Sequence, residues 1–224
     1  MNDGESYSLE QKDHVKYLGV IIDDKLNWKY HISFLCSKIS RNTGIFYKLR
    51  HYLSLSQLRQ LYYNLIYPYL SYAIVAWGSI YKSHLKCLQT RQNHIVRSIF
   101  FATLYGENTE SALPLLNLLN LLTLDRIYEV QALIFTHKWH TQNLPTIFDN
   151  YFQYAKNIHT HNTRYSSKDN LYKPRVRTNT GKQTISSMAT SLWQKLPTQI
   201  KNVKGNLFKK KAKEHLLLIQ SGFI

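Results

Sequence analysis

The chain has 224 residues, 44% of them hydrophobic, which is enough for the core of one large domain or two small ones. Lysine and arginine number 29 against 13 acidic residues, so the formal net charge is +16. This excess favours a polyanionic partner, either nucleic acid or an acidic membrane surface, and the apolar content excludes a chain that stays largely unfolded.

The positive charge is concentrated in the C-terminal third. Residues 1–150 carry 15 basic and 11 acidic side chains, whereas residues 151–224 carry 14 and 2. A surface that serves only solubility usually mixes both signs. We therefore favour polyanion contact for the C-terminal part, with a solubilising surface as the alternative.

Cysteine use and hydropathy bear on location. Cys36 and Cys87 are far apart and belong to no CxxC motif, so we expect neither a disulfide framework nor a Cys-based zinc site. Together with a polar, acidic N-terminus, this favours a reducing compartment, the cytoplasm or nucleus.

The uncharged stretch between Arg59 and Lys82 is long enough to cross a bilayer. Because Pro68 and several polar residues interrupt it, two short buried helices explain it better, and we expect no membrane partner.

The predicted elements begin with a strand and a helix. Residues 15–22 are rich in β-branched and aromatic side chains, which indicates a β-strand. In residues 28–49 apolar side chains recur at steps of three, four and seven, which indicates the buried face of an α-helix. The other face of this helix is expected to carry Lys38, Arg41, Lys48 and Arg50.

Asp23 and Asp24, between that strand and that helix, raise the question of a metal-dependent reaction centre. A two-metal site needs carboxylates that converge, together with a further carboxylate from elsewhere in the fold. Neighbouring residues on a strand point to opposite faces, and the chain has few other acids to complete a set. Turn residues before a helix explain the pair without catalysis. We therefore predict no catalytic residue, no metal and no cofactor.

Two helices are predicted in the middle of the uncharged region. Ser54 and Gln57 have the spacing of a capping box, which predicts a helix up to Tyr67. A second helix is expected from Pro68 to about Trp77.

Three more helices complete the N-terminal two thirds. Ser83 is the expected cap of the first, and the other two are predicted at residues 109–119 and 123–140. The inner stripe of the helix after Ser83 consists of Leu85, Leu88, Gln92, Ile95 and Ile99.

The pattern changes near Pro145. Residues 151–184 show little periodicity and a basic run, which indicates loop or short strand, and helices are predicted again at 185–195 and 206–220. In the last helix a row of lysines lies opposite the apolar face. Trp193, Leu196 and Pro197 are expected to dock this region onto the rest of the chain.

The basic C-terminal region suits contact with a nucleic-acid backbone. Lys173, Arg175 and Arg177 alternate, so in an extended segment they would share one face and follow phosphates. Tyr165 and Tyr172 suit stacking on unpaired bases. The predicted nucleic-acid-binding residues are Lys38, Arg41, Lys48, Arg50, Arg164, Lys173, Arg175, Arg177, Lys182, Lys209, Lys210 and Lys211.

Several separated segments share a pattern with one protein family. They are VKYLGVIIDDKLNWKYHI, LRQLYYNLIYPYLSYAIVAWG, LKCLQTRQNHIVRSIF, HNTR, PRVRTNTGKQTISSMATSLWQKLPTQIK and LFKKKAKEHLL, in that order. In these segments the chain resembles, from about His14 onward, the thumb and C-terminal region of reverse transcriptases from non-LTR retrotransposons, especially jockey-like LINE elements. The order of the motifs makes the resemblance more specific than any one of them.

The resemblance implies a fragment that lacks its catalytic centre. The family's catalytic acids lie in an aromatic-Ala-Asp-Asp turn and a further palm aspartate, and no such turn occurs here. Asp23 and Asp24 match the family's turn before the LxWxxHI helix. By the resemblance, residues 28 to about 101 form a thumb that grips a primer–template duplex, and the basic tail contacts template RNA or target DNA. The family's CCHC knuckle has no counterpart in this sequence.

Residues from about 26 to 77 also resemble the N-terminal helical segment of AlkB homologue 8, a nucleic-acid dealkylation and tRNA-modification protein. A 2-oxoglutarate oxygenase needs two histidines and a carboxylate, and no HxD motif is present. We therefore interpret this second resemblance as one of local sequence and not of chemistry.

Together these patterns predict a mainly α fold, a helical thumb-like bundle with one or two N-terminal β-strands and an irregular basic C-terminal region. The expected divisions are a polar tail at 1–13, the end of a palm-like β-hairpin at 14–27, a helical domain at 28–144 and the basic region at 145–224.

The predicted function is non-specific RNA and DNA binding without activity alone. Two alternatives stay open. The chain is an inert, pseudogene-derived helical protein, or it supplies the thumb half of a polymerase whose palm lies on another chain.

Overall fold

The computed structural model describes residues 11–80, 82–100, 111–158, 170–178, 181 and 184–223. It is mainly helical with one two-stranded antiparallel sheet near the N-terminus, which confirms the predicted fold class. The strands are β1 (His14–Tyr17) and β2 (Val20–Asp23). The helices are α1 (Lys29–Leu49), α2 (Leu55–Leu65), α3 (Tyr67–Ser71), α4 (Ile74–Trp77), α5 (Lys82–Ile99), α6 (Leu113–Leu118), α7 (Leu124–His140), α8 (Ala155–Ile158), α9 (Ile185–Lys195), α10 (Thr198–Lys201) and α11 (Gly205–Ser221), with a 3₁₀ turn at Thr146–Phe148.

Residues 15–22 form a hairpin, so the prediction of a single strand is wrong. The chain reverses at Leu18 and Gly19, whose φ angles are 46° and 83°. Two successive residues with positive φ match the twist of paired strands and favour a tight hairpin turn. Because the run of apolar residues continues through this turn, the sequence pattern does not show that the chain reverses there. Val15 pairs with Ile22 across the hairpin.

Helices α1 and α5 share the most extensive contact of any helix pair among the described residues. The predicted inner stripe of α5 is confirmed, since all five of its side chains are buried. The apolar face of α1 is also buried, except that Leu49 is half-buried. Each helix therefore buries the stripe that its 3.6-residue period defines.

The capping box at the start of α2 is confirmed. The Gln57 side chain accepts a hydrogen bond from the Ser54 amide at 2.9 Å, and the Ser54 hydroxyl accepts one from the Gln57 amide. The single helix predicted from Pro68 to Trp77 is instead two short helices, α3 and α4. Ala73 between them has a φ of 50°, and the Trp77 indole N–H donates to the Tyr72 carbonyl at 2.9 Å. The buried indole therefore holds a turn that the apolar pattern does not show.

Two predicted helix starts need correction. Ser83 is the second residue of α5 and not its cap, since the helix begins at Lys82. Helix α6 is shorter than residues 109–119, and positions 109 and 110 lie outside the described residues. By contrast, α7 follows Thr123 and ends at His140, as predicted.

The C-terminal helices α9 and α11 pack on α7 and share its core. Trp193 and Leu196 are buried, which confirms their docking role, whereas Pro197 is exposed and that part of the prediction is wrong. The His137 ring stacks on Phe208 with centroids 3.8 Å apart. Within the described ranges, no helix combines the length and hydropathy that crossing a bilayer requires. The four predicted domain divisions stay predictions.

Candidate nucleic-acid interface

The structure answers the question posed by the two aspartates. Asp23 is 3% exposed, and its two carboxylate oxygens accept hydrogen bonds from the backbone amides of Asn27, at 2.9 Å, and Trp28, at 2.7 Å. Asp24 is exposed. The two side chains therefore do not converge, and Asp23 organises the turn that leads into α1, as the turn interpretation requires.

Binding of a metal ion elsewhere in the described ranges would need a cluster of ligand side chains. There, no group of three or more His, Cys, Asp or Glu side chains is arranged to hold a cation. The electrostatic features of the surface are instead three groups of basic side chains, on α1, on residues 173–177 with α9, and on α11.

The first basic group lies on the solvent side of α1. Arg41 and Lys48 are exposed and Lys38 is half-buried. The Lys38 ammonium lies 5.4 Å from the centre of the Phe34 ring, and the Lys16 ammonium from β1 lies 5.5 Å from that ring. The hairpin thus adds a cation, Lys16, that the helical pattern alone did not place here.

Arg50 does not belong to this group, and its placement on the exposed face is wrong. Its side chain is 5% exposed, its guanidinium lies 3.9 Å from the centre of the Tyr47 ring, and it donates to the Ser98 carbonyl of α5 at 3.1 Å. Arg50 follows Phe46 by four residues and Ile39 by eleven, which are steps along the buried face of the helix. It therefore joins α1 to α5.

The second basic group surrounds a groove in the C-terminal region. Lys173 and Arg175, in segment 173–177, line a cavity of about 630 Å³ together with Lys195 of α9. Val176, Met188 and Leu192 form the apolar part of its lining. The cavity therefore combines cationic walls with an apolar surface.

The groove contains residues that the sequence did not single out. Lys195 is the last residue of a correctly predicted helix, but nothing in the sequence indicated that the helix lies against segment 173–177. Glu129 of α7 also lines the groove, and its carboxylate pairs with Arg126. Arg177 is exposed but does not line the groove, and the predicted residues Arg164 and Lys182 lie outside the described residues.

The third basic group is the lysine row of α11. Lys209, Lys210 and Lys211 are exposed, as predicted. Lys213 differs, because its ammonium donates to the Tyr63 hydroxyl at 2.6 Å and lies 4.4 Å from that ring's centre. This contact ties α11 to α2 and removes Lys213 from the free cations of the row.

Comparison with known proteins gives one informative similarity. No family model matches the chain, and no solved structure matches it. Over 108 residues, 47% of this chain, it is 30% identical to the probable RNA-directed DNA polymerase from transposon X-element of Drosophila melanogaster. The chain is related to a retrotransposon reverse transcriptase. It spans 12% of the length of that curated relative.

This similarity supports the broad resemblance seen in the sequence, and it is consistent with a fragment. The assignment to thumb and C-terminal region and the likeness to jockey-like LINE elements stay predictions. The resemblance of residues 26–77 to AlkB homologue 8 gains no support, since no family model matches.

Proposed function

We propose that this chain is the thumb and C-terminal part of a non-LTR retrotransposon reverse transcriptase, and that it binds RNA and DNA through their phosphate backbones. The observation that carries the proposal is the groove of Lys173, Arg175 and Lys195. None of these three side chains forms an ion pair with a described residue. The acid that lines the groove, Glu129, is already paired. Among the residues that the structure describes, the groove is therefore a concentration of uncompensated positive charge.

Phosphate is the ligand that suits such a surface. Each lysine or arginine that meets a phosphate releases a condensed counterion, so affinity falls as salt rises, whatever the base sequence. Backbone contacts of this kind position a strand but do not read its bases. We accordingly propose non-specific binding of both RNA and DNA.

Strand extension by the isolated chain is not part of the proposal. The sequence has no match to the family's catalytic turn, and the Asp23 carboxylate is engaged by backbone amides of the α1 turn. The partner we propose for polymerase activity is a separate polypeptide that carries the palm and its acids. Primer extension by the pure chain is expected to fail, and a mixture with such a palm polypeptide is expected to restore it.

A salt titration tests the binding proposal. Fluorescently labelled single-stranded RNA and a duplex of equal length are titrated with the chain at several salt concentrations. We expect binding of both at low salt and a linear loss of log affinity with log salt. An absence of retention even at the lowest salt would remove the binding proposal and favour an inert protein.

A further inference from the structure

The two cysteines meet in the folded chain although 51 positions separate them. Cys36 lies in α1 and Cys87 in α5, and their Sγ atoms are 2.7 Å apart. Both are free thiols. Both lie within helices that pack extensively against each other, so the contact is set by the pairing of α1 and α5 and not by a loop.

The two thiols differ in access. Cys36 is buried and Cys87 is exposed. Burial raises the pKa of the Cys36 thiol to about 12, with a further rise from Cys87 and an opposing effect of Arg91. A soluble oxidant therefore reaches Cys87 first, and Cys36 is the thiol held next to it.

We propose that Cys36 and Cys87 are a redox modification site, at which a thiol oxidant such as glutathione disulfide closes a reversible disulfide between α1 and α5. The contact of the two sulfur atoms carries this inference, and it is independent of nucleic-acid binding. The sequence spacing predicts no disulfide framework, and the bridge proposed here is a single one that forms and opens with the redox potential of its surroundings.

The reaction proceeds by two exchanges. The Cys87 thiol loses its proton and attacks one sulfur of glutathione disulfide, which forms a mixed disulfide and releases one glutathione. The Cys36 sulfur then loses its proton, attacks Cys87 Sγ and expels the second glutathione as its thiolate, which takes up a proton. The two cysteines are oxidised by two electrons, and one glutathione disulfide is reduced to two glutathione molecules.

Closure of this bridge constrains the unfolded chain across a loop of about 50 residues. For a chain of this size we expect the oxidised form to melt about 8–16 °C above the reduced form. Reduction by dithiothreitol should return the melting temperature to its original value.

The test uses the full chain, first reduced and then incubated with glutathione disulfide under native conditions. Intact mass, thiol titration and non-reducing electrophoresis are measured before and after. We expect the wild type to form no disulfide between copies of the chain, to lose both titratable thiols and to retain no glutathione. The Cys36→Ser variant should instead retain glutathione on Cys87, and the Cys87→Ser variant should remain unmodified.

Three results would overturn the proposal. They are retention of two free thiols by the wild type, a persistent glutathione adduct on Cys87, and a disulfide between two copies of the chain. The wild-type measurement decides without any variant, so poor folding of a serine variant does not obscure the outcome.

Discussion

Replacing Asp23 by alanine should destabilise the chain, because the buried carboxylate holds the turn that leads into α1. The carboxylate is 3% exposed and accepts two backbone hydrogen bonds, from the amides of Asn27 and Trp28. Hydrogen bonds to a charged group contribute roughly 1.5–3 kcal/mol each. Since water replaces part of this once the side chain is gone, we expect a loss of about 2–4 kcal/mol for Asp23→Ala. Asp23→Asn, which keeps one acceptor oxygen, should lose about half as much.

Urea unfolding followed by circular dichroism measures this loss, and Asp24→Ala is the matched control. Asp24 is the same residue type one position further along and is exposed. Its replacement should change the free energy of unfolding by no more than about 0.5 kcal/mol. Equal effects of the two alanine variants would refute the structural role assigned to Asp23.

The remaining predictions concern other buried polar groups. Arg50→Ala should cost about 2–4 kcal/mol in urea unfolding, because it removes a buried guanidinium that donates to a carbonyl of α5. Gln92→Ala should cost a similar amount, since the Gln92 amide donates to the Tyr62 hydroxyl and to a backbone carbonyl, each at 2.7 Å. Stability should fall as the pH drops below 6.5. Burial holds the pKa of His31 below 6.5, the ordinary value for histidine, so the unfolded chain takes up a proton more readily than the folded chain. In the folded chain the His31 Nδ1 accepts a hydrogen bond from the Ile21 amide.

Each of these has its own control. Arg41→Ala, on the exposed face of α1, should leave stability within about 0.5 kcal/mol of the wild type, and an equal loss for both arginines would contradict the burial argument. Tyr62→Phe should cost about 1 kcal/mol, less than Gln92→Ala, because one partner of the amide remains. His31→Gln should weaken the pH dependence, and a profile identical to the wild type would rule out His31 as its source.

Periodicity predicted most of the helices because their buried stripes are continuous. The stripe of α5 and the bounds of α9 follow directly from the steps of three and four in their apolar residues. The breaks were harder to predict. The hairpin turn at Leu18 and the interruption at Ala73 depend on backbone angles and, at Ala73, on the hydrogen bond from the Trp77 indole to the Tyr72 carbonyl, none of which alters the apolar pattern.

Only those parts of the candidate site that depend on local spacing could be predicted from the sequence. Local spacing places Lys173 and Arg175 on one extended segment, but the approach of Lys195 depends on how α9 packs against that segment. Arg50 is buried, although its charge favours the exposed face of α1, because it follows the buried Phe46 by four residues and so lies on the same face. Contact between Cys36 and Cys87 depends on the pairing of two helices, which no local pattern contains.

Salt dependence of RNA binding tests the central claim most directly, namely that the groove cations Lys173, Arg175 and Lys195 hold the phosphate backbone. Replacing Lys173, Arg175 and Lys195 by glutamine should reduce the slope of log affinity against log salt on single-stranded RNA by roughly 2. A variant with the same loss of charge on exposed lysines elsewhere, Lys82, Lys86 and Lys138, should keep a slope close to that of the wild type. Equal slopes for the two variants would contradict the account.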